Sequence, residues 1–301
     1  MHSVLVQVRR RWQLYMIILL PMLYLFIFKY IPMYGTLIAF KDYNVVKGIL
    51  GSPWAGMKHF HYFIYSPDFW MIIRNTMLIS LYSLAVGFPA PIILALALNE
   101  IRNGFFKKTV QMVTYAPYFI STVVMVSMIL LVLHPRNGIV NVAMEQFGLQ
   151  SVNFMGEAQL FKTIYVFSDV WQTTGYAAII YLAALSGINP ELYEAAKVDG
   201  ASRFQKMVHV DIPGIMPVAV ILLILNMGSI MNVGFEKVFL MQNPLNLGAS
   251  EVIQTYVYKV GLLGAKFSFS TAIGLFNSVI NLILLVAVNQ VARRVSENSL
   301  W

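Results

Sequence analysis

Asn189-Pro-Glu-Leu-Tyr-Glu-Ala-Ala-Lys-Val-Asp-Gly-Ala-Ser-Arg-Phe204, followed by Asp211-Ile-Pro-Gly-Ile-Met-Pro217, is a polar stretch between two long apolar ones. Its punctuation predicts a short, well-capped helix. Asn189 is a good N-cap, Pro190 suits the first helical position, and Glu191 suits the dipole of the first turn. Gly200 can close the helix in the left-handed region. Ser202 can then cap a second short helix, which Pro213 is expected to end. A surface helix at the end of an apolar bundle is a docking element or a plain connecting loop, and the local chemistry allows both.

Working outward, the chain has 301 residues, 58% of them hydrophobic and 11% charged, with a mean hydropathy of +0.69. Soluble domains carry about 25% charged residues, so this chain must satisfy much of its surface in lipid. The absence of cysteine excludes disulfides and thiolate chemistry. The net charge of +8 invites a nucleic-acid partner. The basic residues are dispersed or lie beside apolar segments, which is the pattern of membrane topology signals instead. Arg9-Arg10-Arg11 before an apolar run imitates a signal peptide, but the run continues too long for one and predicts a retained first span.

Six segments have the length and apolar character to cross a bilayer: about 13–38, 71–98, 110–133, 160–186, 215–234 and 268–291. Pro89 and Pro91 predict a kink in the second. With the N-terminus inside, stretches 1–12, 99–109, 187–213 and 292–301 are cytoplasmic. They hold 11 of the 21 Lys and Arg, against 7 in the longer external loops near 41–70, 134–160 and 234–266. That bias puts both termini and the 187–213 loop in the cytoplasm. The expectation is one all-α transmembrane domain over 1–301, in the cytoplasmic (inner) membrane. The external loop 41–70 is rich in Gly, Pro and aromatic residues, so it should be ordered. His59 and His61 within it have no third ligand and make a weak metal site.

Glu194, Ala195, Ala196, Gly200 and Pro213 stand at the spacing of the signature loop of importer-type ABC permeases, which the segment resembles. Val210 and Ile212 replace the usual Ile and Leu, and Asp199-Gly200-Ala201-Ser202 is similar to the sugar-permease form. The N-terminal Phe28-Lys29-Tyr30-Ile31-Pro32-Met33-Tyr34-Gly35, Gly51-Ser52-Pro53-Trp54-Ala55-Gly56 and the later Gly234-Phe235-Glu236-Lys237 resemble permeases for polysaccharide fragments. Among these, the alginate-oligosaccharide importers are similar. The resemblance implies a type I ABC importer permease fold with six transmembrane helices and a cytoplasmic coupling helix. It implies that Glu194, Ala195, Ala196, Asp199 and Gly200 dock onto an ATPase. It implies as partners a second permease, two cytoplasmic ATP-binding subunits that hold ATP and Mg, an extracytoplasmic solute-binding protein, an oligosaccharide and lipid, with no nucleic acid.

Polar groups inside apolar spans are costly unless they pair or line water. Asp169, Gln172, Thr173 and Tyr176 fall at i, i+3, i+4 and i+7 on the fourth span, with Trp171 and Tyr165 adding aromatic surface. Asn226, Ser229 and Asn232 recur every three residues on the fifth, and Asn277 and Asn281 lie one turn apart on the sixth. Sugars need such amides, carboxylates and flat aromatic faces, although Asn, Ser and Thr also bond helices together. The sets on the fourth and fifth spans point to a substrate path. Cations near membrane depth are Lys29, Arg74, Lys162 and Lys237, of which Arg74 and Lys162 could flank an external mouth for an acidic sugar.

No phosphate-binding glycine loop, carboxylate pair or activated nucleophile is evident, so the chain reads as a transport subunit, not an enzyme, with no cofactor of its own. The rival readings are a proton-coupled secondary transporter titrating at Asp169, and a non-transporting membrane assembly protein.

Overall fold

The computed structural model describes residues 10–295, so Arg9 of the basic triplet and the tail beyond 295 lie outside the described residues. Among the described residues regular structure is helical, apart from one isolated bridge between Lys41 and Trp54. The long elements are α1 (Trp12–Phe40), α2 (Phe69–Glu100), α3 (Gly104–Phe119) and α4 (Thr122–Val132). After them come α5 (Ala158–Ser186), α6 (Pro190–Val198), α7 (Arg203–Met227), α8 (Phe235–Met241) and α9 (Phe267–Val295).

Four of these, α1, α2, α7 and α9, are long and apolar enough to cross a membrane, and the bent pair α3 and α4 makes a fifth. The expected spans map onto these elements with three corrections. The segment expected at 110–133 is not a straight span: it bends by 102° between α3 and α4. Pro117 sits in a 3-10 turn there, Ile120 is extended, and Ser121 caps the new helix with its hydroxyl. The fourth, α5, is a 29-residue helix whose polar residues lower its apolar character. The fifth, expected over 215–234, unwinds after Met227, so that 228–234 is irregular.

Pro213 does not end a helix. The helix begun at Ser202 continues through a π turn, Met207–Asp211, directly into the Ile212–Met227 helix. Proline lacks an N–H and its ring crowds the carbonyl four residues back. A π turn at that place widens the backbone where the crowding falls. The same device recurs in α1, where the π turn Phe26–Tyr30 precedes Ile31-Pro32.

The chain forms two compact units. Among the described residues, the first comprises 10–66 together with Val257–Phe276. Its loop after α1 is ordered, as its composition predicts. Phe40 stacks on Trp54 at 5.7 Å, and the Phe40 carbonyl accepts the N–H groups of Ala55 and Gly56. Lys58 bonds Asp42 at 2.9 Å, and His59 stands 3.1 Å from the same carboxylate and from the Lys41 carbonyl. The Lys58 hydrogen bond holds the Asp42 carboxyl below its ordinary pKa.

The second unit, Pro67–Tyr256 with residues 277–295, is organised around α5. One cluster on α5 gathers Phe161, Tyr165 and Val166 with Ile79, Val126 and Val238, and a second gathers Ala178, Tyr181 and Leu185 with Ala95, Ile215 and Ala219. Between apolar helices in lipid the hydrophobic effect supplies little drive, so close approach matters most. Gly175 provides it: a β-carbon there would come within 1.9 Å of the Thr114 carbonyl oxygen.

Candidate functional site

Two places in the second unit collect the residues singled out in the sequence. One is the exposed turn at 187–213. Asn189 accepts the Glu191 N–H at 3.1 Å and so caps α6. Gly200 adopts φ +73°, and the Ala201 N–H returns to the Ala196 carbonyl at 2.9 Å, which closes the helix in a left-handed turn. Ser202 and Gln205 then form a reciprocal capping box for the next helix. Glu194, Ala195, Asp199 and Gly200 are exposed, and Ala196 is half-buried. Large apolar side chains stand out among them: Val198 is 87% and Phe204 72% exposed.

Underneath, the Tyr193 hydroxyl donates to Asp211 Oδ1 at 2.5 Å, and Asp211 is buried. Burial first, and then this bond, push the Tyr193 hydroxyl well above its ordinary pKa, so it remains a donor. This contact joins α6 to the π turn at the foot of α7. No local pattern points to it, because the partners are eighteen positions apart and neither is distinctive alone.

The other place is a cavity of about 570 Å³. Asp169, Thr173, Asn226, Ser229 and Asn232 all line it, together with Ser80, Ser83, Tyr165 and Tyr181. The irregular backbone 228–234 forms part of its wall. Helix-free backbone at membrane depth is tolerated where it faces a wet cavity. Its polar groups are also held from behind. The Met231 N–H donates to Asn281 Oδ1 at 3.0 Å, and Asn232 Oδ1 accepts from Asn277 at 2.7 Å and from Asn281 and Gln254 at 3.3 Å each. Ser80 is buried on the cavity wall and its hydroxyl has no hydrogen-bond partner among the described residues.

The helical face predicted on α5 divides. Asp169 and Thr173 meet the cavity, while Gln172 donates to the Ile120 carbonyl at 2.9 Å and Tyr176 stacks on Tyr118 with ring centres 3.9 Å apart. Those two therefore brace the bend between α3 and α4. Trp171 is exposed and belongs to neither group. The Thr173 hydroxyl bonds back to the Asp169 carbonyl at 2.8 Å.

Asp169 Oδ1 lies 3.2 Å from the ammonium of Lys237 on α8. Lys237 is buried, with its charge 5.0 Å from the centre of the Tyr165 ring. Arg74 and Lys162 do not line the cavity. Ser80, Ser83 and Gly87 recur at i, i+3 and i+7 on α2, a small-residue stripe that would have flagged the opposite wall. Gln254 carries no comparable signal.

The family described as "Binding-protein-dependent transport system inner membrane component" matches residues 87–297. Among curated proteins, the chain is 41% identical to the polygalacturonan/rhamnogalacturonan transport system permease protein YteP of Bacillus subtilis, over 99% of this chain and 92% of that one. It is 40% identical to the protein LplB of the same organism, over 97% of this chain and 92% of that one. Among solved structures, it matches a chain of a bacterial ABC transporter involved in the import of the acidic polysaccharide alginate. The TM-score is 0.91 at 38% identity, over 98% of this chain and 99% of that one. A bacterial alginate ABC transporter in complex with an alginate pentasaccharide-bound periplasmic protein matches with a TM-score of 0.90 at 37% identity, covering 98% of each chain.

Proposed function

This chain belongs to the family of inner membrane components of binding-protein-dependent transport systems, and from that premise we propose that it conducts acidic oligosaccharides inward as the permease subunit of an ATP-driven importer. The observation that carries the reading is the polar cavity beside the unwound 228–234 segment. Its wall offers amide, hydroxyl and carboxylate groups, with the Tyr165 and Tyr181 side chains beside them, which is the mixture that sugar hydroxyls and C–H faces require. Relatives named for polygalacturonan and alginate support the acidic class of substrate.

In this reading, α6 and the Gly200 turn dock on a cytoplasmic ATPase. Glu194 makes the polar contact, Ala195 and Ala196 allow close approach, and the exposed Val198 and Phe204 add apolar area. Two such ATPases bind ATP and Mg. A second permease completes the path, and a solute-binding protein delivers sugar from the opposite face, with both termini of this chain in the cytoplasm. ATP-driven closure of the ATPases moves α6, and the cavity alternates in access between the two faces. Asp169 already has a counter-ion in Lys237, so it is not the unpaired carboxylate that a proton carrier needs.

The test is uptake of an acidic oligosaccharide by the complete transporter in proteoliposomes. Wild type should take it up only with ATP, and Glu194→Lys should remove uptake while the complex still assembles. Normal turnover by assembled Glu194→Lys would sink the docking assignment. Single cysteines at Asn226 and Ser229 of this cysteine-free chain should react with a hydrophilic thiol reagent at rates that change when ATP is trapped. Inert cysteines in both states would remove these residues from the path.

A further inference from the structure

Asp169 is the single charged side chain on the cavity wall among the described residues. Its side chain is 40% exposed, whereas that of Lys237, whose ammonium neutralises it, is 6% exposed. The arrangement is lopsided: the anion faces the cavity and the cation is buried behind it, against the Tyr165 ring. A carboxylate alone in a partly dry cavity would repel a second carboxylate brought within a few ångströms, because the low dielectric screens it poorly. A buried ammonium alone would need a replacement anion.

We infer that the Asp169–Lys237 pair is a specificity-determining element that sets the charge met by an acidic sugar: Lys237 cancels Asp169 and so keeps the cavity open to carboxylates. The inference rests on the acidic-oligosaccharide reading above and names the pair of residues that permits it. Lys237 acts through Asp169 and is a positioning residue. Asp169 presents to the sugar an oxygen whose charge is already balanced. One of its oxygens is held by Lys237 at 3.2 Å, which fixes the carboxylate's orientation. Removing the cation leaves a net negative cavity. Removing the anion leaves a net positive one. Removing both restores neutrality.

The structural alternative makes the opposite ordering. If the pair only held α8 against α5, Asp169→Asn would be the damaging change, because it strands the buried ammonium, and Lys237→Gln would be mild, because Asp169 is already partly solvated. The charge role makes Lys237→Gln the damaging change for an acidic substrate.

The experiment uses the complete transporter in proteoliposomes, with one binding protein throughout. It compares wild type, Lys237→Gln, Asp169→Asn and the double variant on tetragalacturonate and on its methyl-esterified, neutral form. Lys237→Gln should lower tetragalacturonate uptake about tenfold, the effect of roughly one uncompensated charge near the path. The double variant should recover most of that loss, and uptake of the ester should move little in Lys237→Gln, whose side chain does not line the cavity. If Asp169→Asn fails to fold, Lys237→Gln and the double variant still decide the matter. Wild-type uptake of tetragalacturonate by Lys237→Gln, or equal losses on both sugars, would overturn the charge role while leaving the permease reading intact. Wild type carrying the ester but not the acid would overturn both the charge role and the acidic class. Wild type carrying neither would overturn the sugar reading itself.

Discussion

The turn at 189–206 is held in shape by side-chain bonds that reach two or three positions along the chain, at Asn189, Ser202 and Gln205. The cavity wall is held by bonds that reach 22 to 68 positions, at Asn232, Asn281, Gln254 and Lys237. A segment capped by its own neighbours keeps its helix ends satisfied when it shifts, and can move as a unit. A wall built from distant partners exists only while α5, α7, α8 and α9 are packed. The first design suits a piece that carries motion between subunits, and the second suits a site whose geometry must be fixed. The link between them is the Tyr193–Asp211 bond, eighteen positions long, at the foot of α7.

The largest effect should come from breaking the packing that the cavity depends on. Gly175→Val places side-chain atoms where even a β-carbon would meet the Thr114 carbonyl at 1.9 Å. Overpacking of this kind costs about 3 kcal/mol or more when the obstacle is backbone. The variant should lose most of its folded yield in detergent, and normal yield with an unchanged melting temperature would show that α3 and α5 are not locked there.

Next in size is Asn281→Ala. It orphans the buried Met231 N–H and removes one donor to Asn232. An unsatisfied buried group costs about 1–3 kcal/mol. A lowered melting temperature is expected, together with faster thiol labelling of a cysteine at Ser229, as the 228–234 wall loosens. Unchanged labelling would mean that the wall stands without its long-range support.

Tyr193→Phe tests the link itself. The lost bond to a buried carboxylate is worth about 1.5–3 kcal/mol. Both regions should keep their own structure, so ATP hydrolysis should persist while sugar moved per ATP falls severalfold. A constant transport-to-hydrolysis ratio would remove Tyr193 from the coupling path.

The smallest effect should be Ser202→Ala, which deletes one side of the capping box at a cost of about 1 kcal/mol. The damage should stay local: slightly lower stimulated ATPase activity, and wild-type cysteine labelling in the cavity. A change in labelling at Asn226 or Ser229 would show that the two regions are less independent than their bonding implies.

The same division explains what was legible in the sequence. Asn189, Pro190, Gly200 and Ser202 act through dihedral preferences and bonds to their own neighbours, so their roles follow from order along the chain. Apolar length likewise marked where long helices begin and end, to within a few residues for α2, α5 and α9. The bend of 102° after α3 was not legible, because Pro117 and Ser121 are each tolerated in straight apolar helices. Nor was the continuation of the 203–227 helix past Pro213, since a π turn depends on room that only packing provides.

At the cavity, sequence periodicity put Asp169, Gln172, Thr173 and Tyr176 on one face of α5. That face is broader than the opening it meets, and the neighbours of α5 decided which pair turned to the cavity and which to the bend. Composition, caps and hydrophobic length thus determined by themselves that this is an all-helical membrane chain with a capped polar turn, since these act through local backbone preference and the cost of placing polar groups in lipid. The partner of Asp169, the support of Asn232 and the unwinding after Met227 were decided by the tertiary structure alone, because each depends on groups that only the folded chain brings within hydrogen-bond distance.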